Sequence, residues 1–278
     1  MLEDLQVWVN GNLIPWSQAT VHMMSHSFSR GSAMFDVFGI HRGKEGPVAF
    51  RMDKHLDRFY RSVELLEMRT NYTRDELKQA VAKVVKANKI GRGVVRITGY
   101  YSEQTIVTLV MDQDLDIAIF AIPETEDFKL NHAEPIRVCI SKWRKLHPAT
   151  VPVEAKACAN YLNGMLSRKD AAERGFDLAI MLTTDGYVAV QSITRLSIIE
   201  ATPSIGIQVR EEQIVPQELL DADEIFTCHT GTKVTPVKQI EDRILRDVPG
   251  PVTSKIFRLM EDIINFRNKD FEHWFEPL

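Results

Sequence analysis

Alternating apolar and polar positions at the start of the chain predict a β-hairpin. Apolar side chains alternate with polar ones in the stretch 5–9, and a second short apolar run follows at 12–14. Between them lies Asn10-Gly11, a pair that readily adopts the positive φ angles of a type I′ turn. By the same alternation or by short apolar runs, further strands are predicted at 35–41, 47–51, 93–101, 105–111, 116–122 and 136–143.

Apolar residues at helical spacing predict two helices between these strands. Residues 53–67 place their apolar side chains on one face, as an amphipathic helix does. Thr73 and Glu76 have the spacing of a capping box, which predicts the start of a second helix. A sheet with two helices packed on it indicates an α+β arrangement for this part of the chain.

A break in the pattern separates this part from the rest. Residues 144–155 carry two prolines and little periodicity, so the chain is expected to cross between domains there or near residues 123–135. We therefore predict a small N-terminal domain over 1–130 and a larger C-terminal domain over 131–278. In the second domain the pattern predicts helices at 158–174, 195–204 and 216–221, strands at 177–182, 205–214 and 224–229, and a final helix with an aromatic tail.

The composition narrows the class of protein. The chain has 278 residues, 44% of them hydrophobic, with a net charge of −4. Such a chain offers no basic surface for nucleic acid or an anionic membrane, and no apolar run approaches the roughly 18 residues of a spanning helix. Its three cysteines are far apart and form no CxxC pair. We therefore expect no disulfide framework, no metal site and a cytoplasmic location.

One lysine stands out for its surroundings. Lys156 lies among small and apolar residues, and Tyr161 follows five positions later. A lysine in a poorly solvated pocket loses part of its preference for the charged form, and a neutral amine can form a Schiff base with a carbonyl. An exposed lysine near the start of a helix would show the same local sequence, so this window alone leaves both interpretations open.

Eight motifs follow one another along nearly the whole chain. They are Trp8-Val9-Asn10-Gly11; 21–26 with Gly31 and Phe35; Gly46-Pro47-Val48 with Phe50-Arg51, His55 and Arg58; 148–161; Ile193-Thr194-Arg195; 222–226; Thr235-Pro236-Val237; and Gly250-Pro251-Val252-Thr253. In these motifs and their order the chain resembles the class IV, fold-type IV, pyridoxal-phosphate (PLP) aminotransferases. That family includes the branched-chain and D-amino-acid aminotransferases and aminodeoxychorismate lyase, and the resemblance is strongest to the branched-chain branch.

The resemblance implies a fold, a cofactor and a catalytic residue. The fold would be α+β of fold-type IV, with two α/β domains and the cofactor site between them. Lys156 matches the lysine that holds PLP as a Schiff base and moves the substrate proton, and Tyr161 matches the tyrosine that donates to the phenolic oxygen of the cofactor. The residues that match the phosphate-binding positions are Arg58, Ile193, Thr194, Thr230 and Gly231.

The resemblance also implies the reaction and its substrates. An amino group would pass from an amino acid or amine to a 2-oxo acid, in an enzyme that is a homodimer or a higher homo-oligomer. Phe35, Arg30 and Arg96 are the candidate substrate residues. Arg30 replaces a tyrosine of the branched-chain enzymes, and Arg96 could pair with a carboxylate. Because the pocket has changed, L-branched-chain, D-amino-acid and (R)-amine donors all stay open.

The largest departure from the family follows Ala189. Val190 stands where the family has the glutamate that pairs with the pyridine nitrogen, and about two dozen residues, enough for two average strands, are missing between Gln191 and Ile193. Either the protein lacks this segment, or the segment is absent only from this sequence. Removing two strands from a core sheet leaves backbone groups unpaired, and that cost favours the second explanation.

Two other functions therefore remain alongside an aminotransferase. One is a PLP lyase of the aminodeoxychorismate lyase type, which would release pyruvate without a 2-oxo acid acceptor. The other is a catalytically impaired dimeric homologue, which Val190 would explain. We expect the aminotransferase.

Overall fold

The computed structural model describes residues 2–125, 128–131, 134–189 and 192–278, in two compact units. The first unit comprises residues 1–129, 152–160 and 271–278, and the second comprises 130–151 and 161–270. This division differs from the predicted boundary at 130/131, because the segment around Lys156 and the C-terminal tail both join the first unit. The predicted loss of a carboxylate at Val190 lies outside the described residues.

The first 129 residues form a sheet with helices packed on it. The predicted hairpin is confirmed, with Gln6 opposite Pro15 and positive φ angles of 45° at Asn10 and 94° at Gly11. The strands and helices are, in order along the chain, β1 (Gln6–Val9), β2 (Asn12–Pro15), α1 (His26–Arg30), β3 (Met34–Arg42), β4 (Pro47–Phe50), α2 (Met52–Leu65), α3 (Arg74–Ala87), β5 (Gly93–Tyr100) and β6 (Asp116–Pro123).

The two long helices bury their apolar faces against this sheet. Thr73 and Glu76 form the predicted capping box at the start of α3. From α2, Leu56 and Phe59 enter a core that also holds Phe38 of β3 and Leu77 of α3, all of them buried. This core fixes α2 against β3, and those two elements carry most of the site residues of the first unit.

The second unit is built on a smaller mixed sheet. Its elements are β7 (Ile136–Arg144), α4 (Tyr161–Glu173), β8 (Leu178–Leu182), α5 (Ile193–Ala201), α6 (Pro216–Asp221), β9 (Phe226–Thr227), β10 (Thr235–Ile240), β11 (Arg243–Ile244) and α7 (Pro251–Ile264). The strand order is β11-β10-β7-β8, with β7 parallel to both neighbours and β9 paired to β10.

The C-terminal tail returns to the first unit. Its last strand, β12 (Phe275–Pro277), pairs with β4 and completes a seven-stranded sheet in the order β12-β4-β3-β5-β6-β1-β2. The guanidinium carbon of Arg51 lies 4.5 Å from the centroid of the Trp274 ring, and Phe275 packs on Phe50. The predicted aromatic tail thus ends in an edge strand, which was not predicted from the sequence.

Two predicted strands do not form. Residues 105–111 and 205–214 contain no strand, although both stretches are rich in Val and Ile. Within the first, Ile106 and Val107 are 81% and 83% exposed. A β-prone run needs a neighbouring strand and a face to bury, and sequence alone shows neither. Conversely, β10 was not predicted; it contains Pro236, which has no backbone N–H to donate and is therefore unfavourable within a strand.

Candidate active site

The backbone of Lys156 is fixed by its neighbours within the first unit. The Phe35 N–H donates to the Lys156 carbonyl at 3.1 Å, and the Cys158 N–H donates to the Ala33 carbonyl at 2.7 Å, so the segment runs beside the start of β3. The Lys156 N–H donates to Ser62 Oγ on α2 at 3.0 Å. Ala155 and Ala157 on either side are buried. A lysine whose main chain is held from two elements presents its amine in a defined place.

The amine of Lys156 is largely desolvated. Its Nζ lies 4.7 Å from the centroid of the Phe35 ring. Burial, reinforced by the positive charge of Arg58 and opposed by Asp36, lowers the pKa of Lys156 to about 8. The interpretation of Lys156 as an exposed surface lysine is therefore wrong. A lysine with this pKa has a substantial neutral fraction near neutral pH, which is the form that attacks a carbonyl.

Arg96 shares the same aromatic ring. Its guanidinium carbon lies 4.0 Å from the Phe35 centroid, and its Nε donates to Thr98 Oγ1 at 3.2 Å. Phe35 therefore contacts both the amine and a guanidinium. The structure thus brings together three of the predicted site residues, Lys156, Phe35 and Arg96.

Arg58 takes part in a buried cluster that sequence reasoning missed. Its Nε and Nη2 donate to the two carboxylate oxygens of Asp36 at 2.7 and 2.8 Å, a bidentate pairing. His55 Nδ1 lies 2.6 Å from the same carboxylate, which also accepts the Val37 N–H at 2.7 Å. Asp36 and His55 are both buried. A guanidinium has five N–H donors, and the Asp36 carboxylate accepts from the Nε and Nη2 edge of Arg58.

Asp36 stays ionised in this cluster. Burial alone raises the pKa of its carboxyl, but the charges and hydrogen bonds of His55 and Arg58 outweigh burial, and the pKa lies below its usual value. The carboxylate therefore balances the charge of Arg58 close to Lys156. Asp36 directly follows Phe35 in a strand, and a single acidic residue at a buried strand position was the one signal available in the sequence.

Two of the predicted phosphate residues, Ile193 and Thr194, form the start of α5. Ser192 is the N-cap, and its side chain accepts the Arg195 N–H at 2.9 Å. The N–H groups of Ile193 and Thr194, both buried, have no acceptor among the residues that the structure describes. Free N–H groups at the N-terminus of a helix, together with its dipole, favour an anion.

The loop before β10 adjoins this helix start. Ser192 Oγ lies 3.7 Å from Cys228 Sγ, so the loop begins beside the N-cap of α5. Thr230 and Gly231 follow in this loop. The Gly231 N–H donates to His229 Nδ1 at 3.1 Å, as does the Thr232 N–H at 3.2 Å. The structure therefore engages the Gly231 amide with an imidazole, which the sequence did not predict.

Tyr161 and Arg30 are the two remaining predicted site residues. Tyr161 is the first residue of α4 in the second unit, and its side chain is half-exposed. Arg30 ends α1, and its Nη2 donates to the Ile106 carbonyl at 2.9 Å. Arg30 is thus tied to a neighbouring loop, whereas Arg96 lies on the ring that contacts Lys156.

Comparisons with known proteins show the family to which this chain belongs. The sequence profile described as "Amino-transferase class IV" matches residues 33–190 and 189–240. The branched-chain-amino-acid aminotransferase of Escherichia coli K12 is 27% identical over 299 residues, covering 98% of this chain and 97% of that protein. The branched-chain aminotransferase of Thermoproteus uzoniensis, solved with norvaline, is 29% identical with a TM-score of 0.91, covering 98% and 99% of the two chains. The PLP form of the Thermobaculum terrenum enzyme is 25% identical with the same TM-score, covering 100% and 99%.

The chain therefore belongs to the class IV aminotransferases. It is a PLP-dependent aminotransferase of fold-type IV, whose substrates are an amino acid and a 2-oxo acid. These comparisons favour an aminotransferase over the lyase and over the impaired homologue. No helix among the described residues has the length and apolar character to cross a membrane.

The chemistry of the residues fits PLP. The cofactor needs an amine for its aldehyde carbon, and Lys156 offers a desolvated one. Its phosphate needs donors and positive charge: within the second unit the N-terminus of α5 offers free N–H groups, and within the first unit Arg58 offers a guanidinium. Each of these groups is held in place by hydrogen bonds or packing within its own unit.

Proposed function

We propose that this enzyme takes its amino group from an amino acid with a branched apolar side chain, using Lys156 as the catalytic residue. The observation that carries this proposal is the Phe35 ring, with the Lys156 amine 4.7 Å and the Arg96 guanidinium 4.0 Å from its centroid. An arginine beside the reacting amine favours a donor that carries a carboxylate. Amino acids, rather than simple amines, are therefore the expected donors, and the names of the relatives support a branched side chain.

Each site residue has a proposed part in this reaction. When bound, PLP supplies an aldehyde carbon that joins an amine and a ring that withdraws electrons from the neighbouring bond. Lys156 would hold the cofactor and move the proton of the substrate α-carbon, a role that its lowered pKa suits. Arg96 would pair with the substrate carboxylate, and Phe35 would line the pocket.

The remaining residues would bind the cofactor. Arg58, the backbone N–H groups of Ile193 and Thr194, and the hydroxyl of Thr230 would bind the phosphate, with the Thr230 loop as its second support. The hydroxyl of Tyr161 would donate to the ring oxygen, where a donor stabilises the negative charge. Exclusion of water from the Lys156 amine by Phe35 and the neighbouring alanines would keep part of the amine neutral.

A donor panel tests this function. The enzyme loaded with PLP is mixed with L-leucine, L-valine, D-leucine or an (R)-amine, and loss of the visible band of the bound cofactor is followed. We expect fast loss with the L-branched-chain amino acids and little with the amine. In the Arg96→Gln variant, the KM for amino acids should rise roughly tenfold or more, because a charge-assisted pair is lost. Arg69→Gln, an exposed arginine paired with Asp112 at 3.0 Å, is the matched control and should change KM little.

Other outcomes would contradict the proposal in distinct ways. A preference for D-amino acids or for the (R)-amine would contradict the proposed donor, and an unchanged KM in Arg96→Gln would contradict the role of Arg96. Pyruvate release without a 2-oxo acid acceptor would indicate a lyase. No spectral change with any donor would indicate an impaired homologue.

We also propose a homodimer that works in the cytoplasm and that contains the strand pair missing from this sequence after Ala189. Exposed apolar side chains of the first unit, which include Met23, Phe28, Ile106 and Val107, support a partner surface. A segment of this size is supported by the alignment with the E. coli enzyme, where 98% of this chain is about 272 residues, so that about 27 of the 299 positions have no counterpart in this sequence. The three widely spaced cysteines support the cytoplasm, which cell fractionation tests.

Mass spectrometry tests both structural proposals in one experiment. Under denaturing conditions the purified chain should have a mass of 31.7 kDa if the segment is truly absent, and a heavier chain would show that the protein contains it. Under native conditions we expect twice the mass of one chain. A native monomer would contradict the dimer, whereas a larger multiple would point to a higher homo-oligomer.

A further inference from the structure

The loop between β9 and β10 contains a buried lysine to which the proposed function gives no role. Lys233 is only 3% exposed, and its Nζ donates to the Thr230 carbonyl at 2.7 Å. A buried ammonium has a high desolvation cost, so such a lysine is rare without a structural or functional reason. Burial lowers the pKa of Lys233 to about 8, with Cys228 opposing the shift.

The loop around Lys233 has a defined conformation. The His229 N–H donates to the Thr232 carbonyl at 2.9 Å, and the Asn131 N–H donates to the Gly231 carbonyl at 2.8 Å. His229 Nδ1 accepts two amides of the same loop. With its own bond to the Thr230 carbonyl, Lys233 closes the loop on itself.

The same loop begins beside the anion-binding end of α5. Cys228 contacts the N-cap residue Ser192 and also lies close enough to Lys233 to influence its charge. The positive charge of Lys233 and the dipole of α5 therefore act on the same region of the second unit. Both favour a phosphate there, the helix through free N–H groups and the lysine through its charge in a poorly solvated setting.

We infer that Lys233 is a positioning residue of the phosphate site, which holds the carbonyl of Thr230 so that its hydroxyl can face the phosphate and supplies a buried positive charge behind the loop. This inference rests on the proposed binding of the PLP phosphate at the Thr230 loop and at α5. The ligand chemistry is a phosphate monoester, because one cation, one helix N-terminus and one hydroxyl donor suit a compact anion.

Binding of PLP and of pyridoxal, which lacks the phosphate, tests the inference without measuring activity. Both aldehydes are titrated into the wild-type enzyme, Lys233→Met and Lys233→Gln, and the band of the bound aldehyde gives the Kd. We expect Lys233→Met to weaken PLP binding roughly tenfold or more, because a charge near the phosphate is lost, and to change pyridoxal binding less than about twofold. Lys233→Gln keeps a donor for the Thr230 carbonyl and removes the charge, so it should also weaken PLP selectively.

Lys238→Met is the matched control, since Lys238 is exposed on the adjacent strand β10 and should leave both Kd values unchanged. Equal weakening of PLP and pyridoxal in both Lys233 variants would show a merely structural role and overturn the inference. So would wild-type PLP affinity in Lys233→Gln, which also decides the matter if Lys233→Met fails to fold. A wild-type enzyme that binds neither aldehyde would overturn the cofactor assignment itself, a failure seen before any variant is made.

Discussion

Replacing Lys156 with methionine is expected to lower kcat/KM for amino transfer by roughly a thousandfold or more, the range attributed to a positioned general acid–base group. Methionine fills a similar volume against Phe35 but has no amine to hold the cofactor or to carry a proton. The measurement is steady-state transamination between L-leucine and a 2-oxo acid, with the visible band of the bound cofactor as a second signal. That band should be absent in the variant.

The physical basis of this prediction is the lowered pKa of Lys156. With a pKa of about 8, about 10% of the amine is neutral at pH 7, compared with about 0.03% for an ordinary value of 10.5. The lowered pKa, caused mainly by burial, therefore increases the fraction of neutral amine at pH 7 about 300-fold. Since the neutral amine reacts, the rate at which the apoenzyme takes up PLP should rise with pH up to about 8 and then level off.

The control for Lys156 is a lysine that is not in the site. Lys169 lies on α4 with its side chain 73% exposed, and Lys169→Met should leave both rate and spectrum unchanged. Retention of transaminase activity in Lys156→Met would refute the assignment of the catalytic residue. An uptake rate that keeps rising to pH 10 would instead show that the amine is not desolvated in the folded enzyme.

The sequence predicted local features of the fold better than features that depend on distant partners. The Asn10-Gly11 turn and the Thr73–Glu76 capping box involve residues within a few positions of each other, and both are present. The strand predicted at 105–111 is absent and the C-terminal strand was not predicted, because each depends on whether a neighbouring strand is available. Sequence alone does not show which strand edge a tail of the chain will reach.

The same contrast between local features and features that depend on distant partners holds for the site residues. Lys156 and Phe35 could be recognised from motifs, since their types and order carry the chemistry. Asp36 and Lys233 could not, because what distinguishes them is burial beside a particular partner, Arg58 for one and the Thr230 carbonyl for the other. Both are charged residues in segments whose sequence is typical of a strand or a loop, and only the three-dimensional structure shows that they are buried.

Replacing Arg58 with methionine should raise the Kd for PLP roughly 100-fold, as expected when two charge-assisted hydrogen bonds to a phosphate are lost. It should also destabilise the enzyme by about 3 kcal/mol, because Asp36 remains buried without its bidentate partner. The first effect is measured by titration of the apoenzyme with PLP and the second by urea unfolding of the apoenzyme. Arg61→Met, on an exposed face of the same helix, should change both quantities little.

Asp36→Asn separates the two roles of the cluster. This variant keeps the Arg58 charge and removes the charged partner that orients it, so PLP binding should weaken by less than in Arg58→Met, roughly tenfold. Because both residues act through one bidentate contact, the double variant should weaken PLP binding no more than Arg58→Met alone. Additive effects would mean that Asp36 does not act through Arg58. Wild-type PLP affinity in Arg58→Met would show that Arg58 does not bind the phosphate and serves only as the buried partner of Asp36. If Arg58→Met is too unstable to purify, Arg58→Lys replaces it. Lysine keeps the positive charge but loses the bidentate guanidinium, so weaker PLP binding is expected in this variant as well.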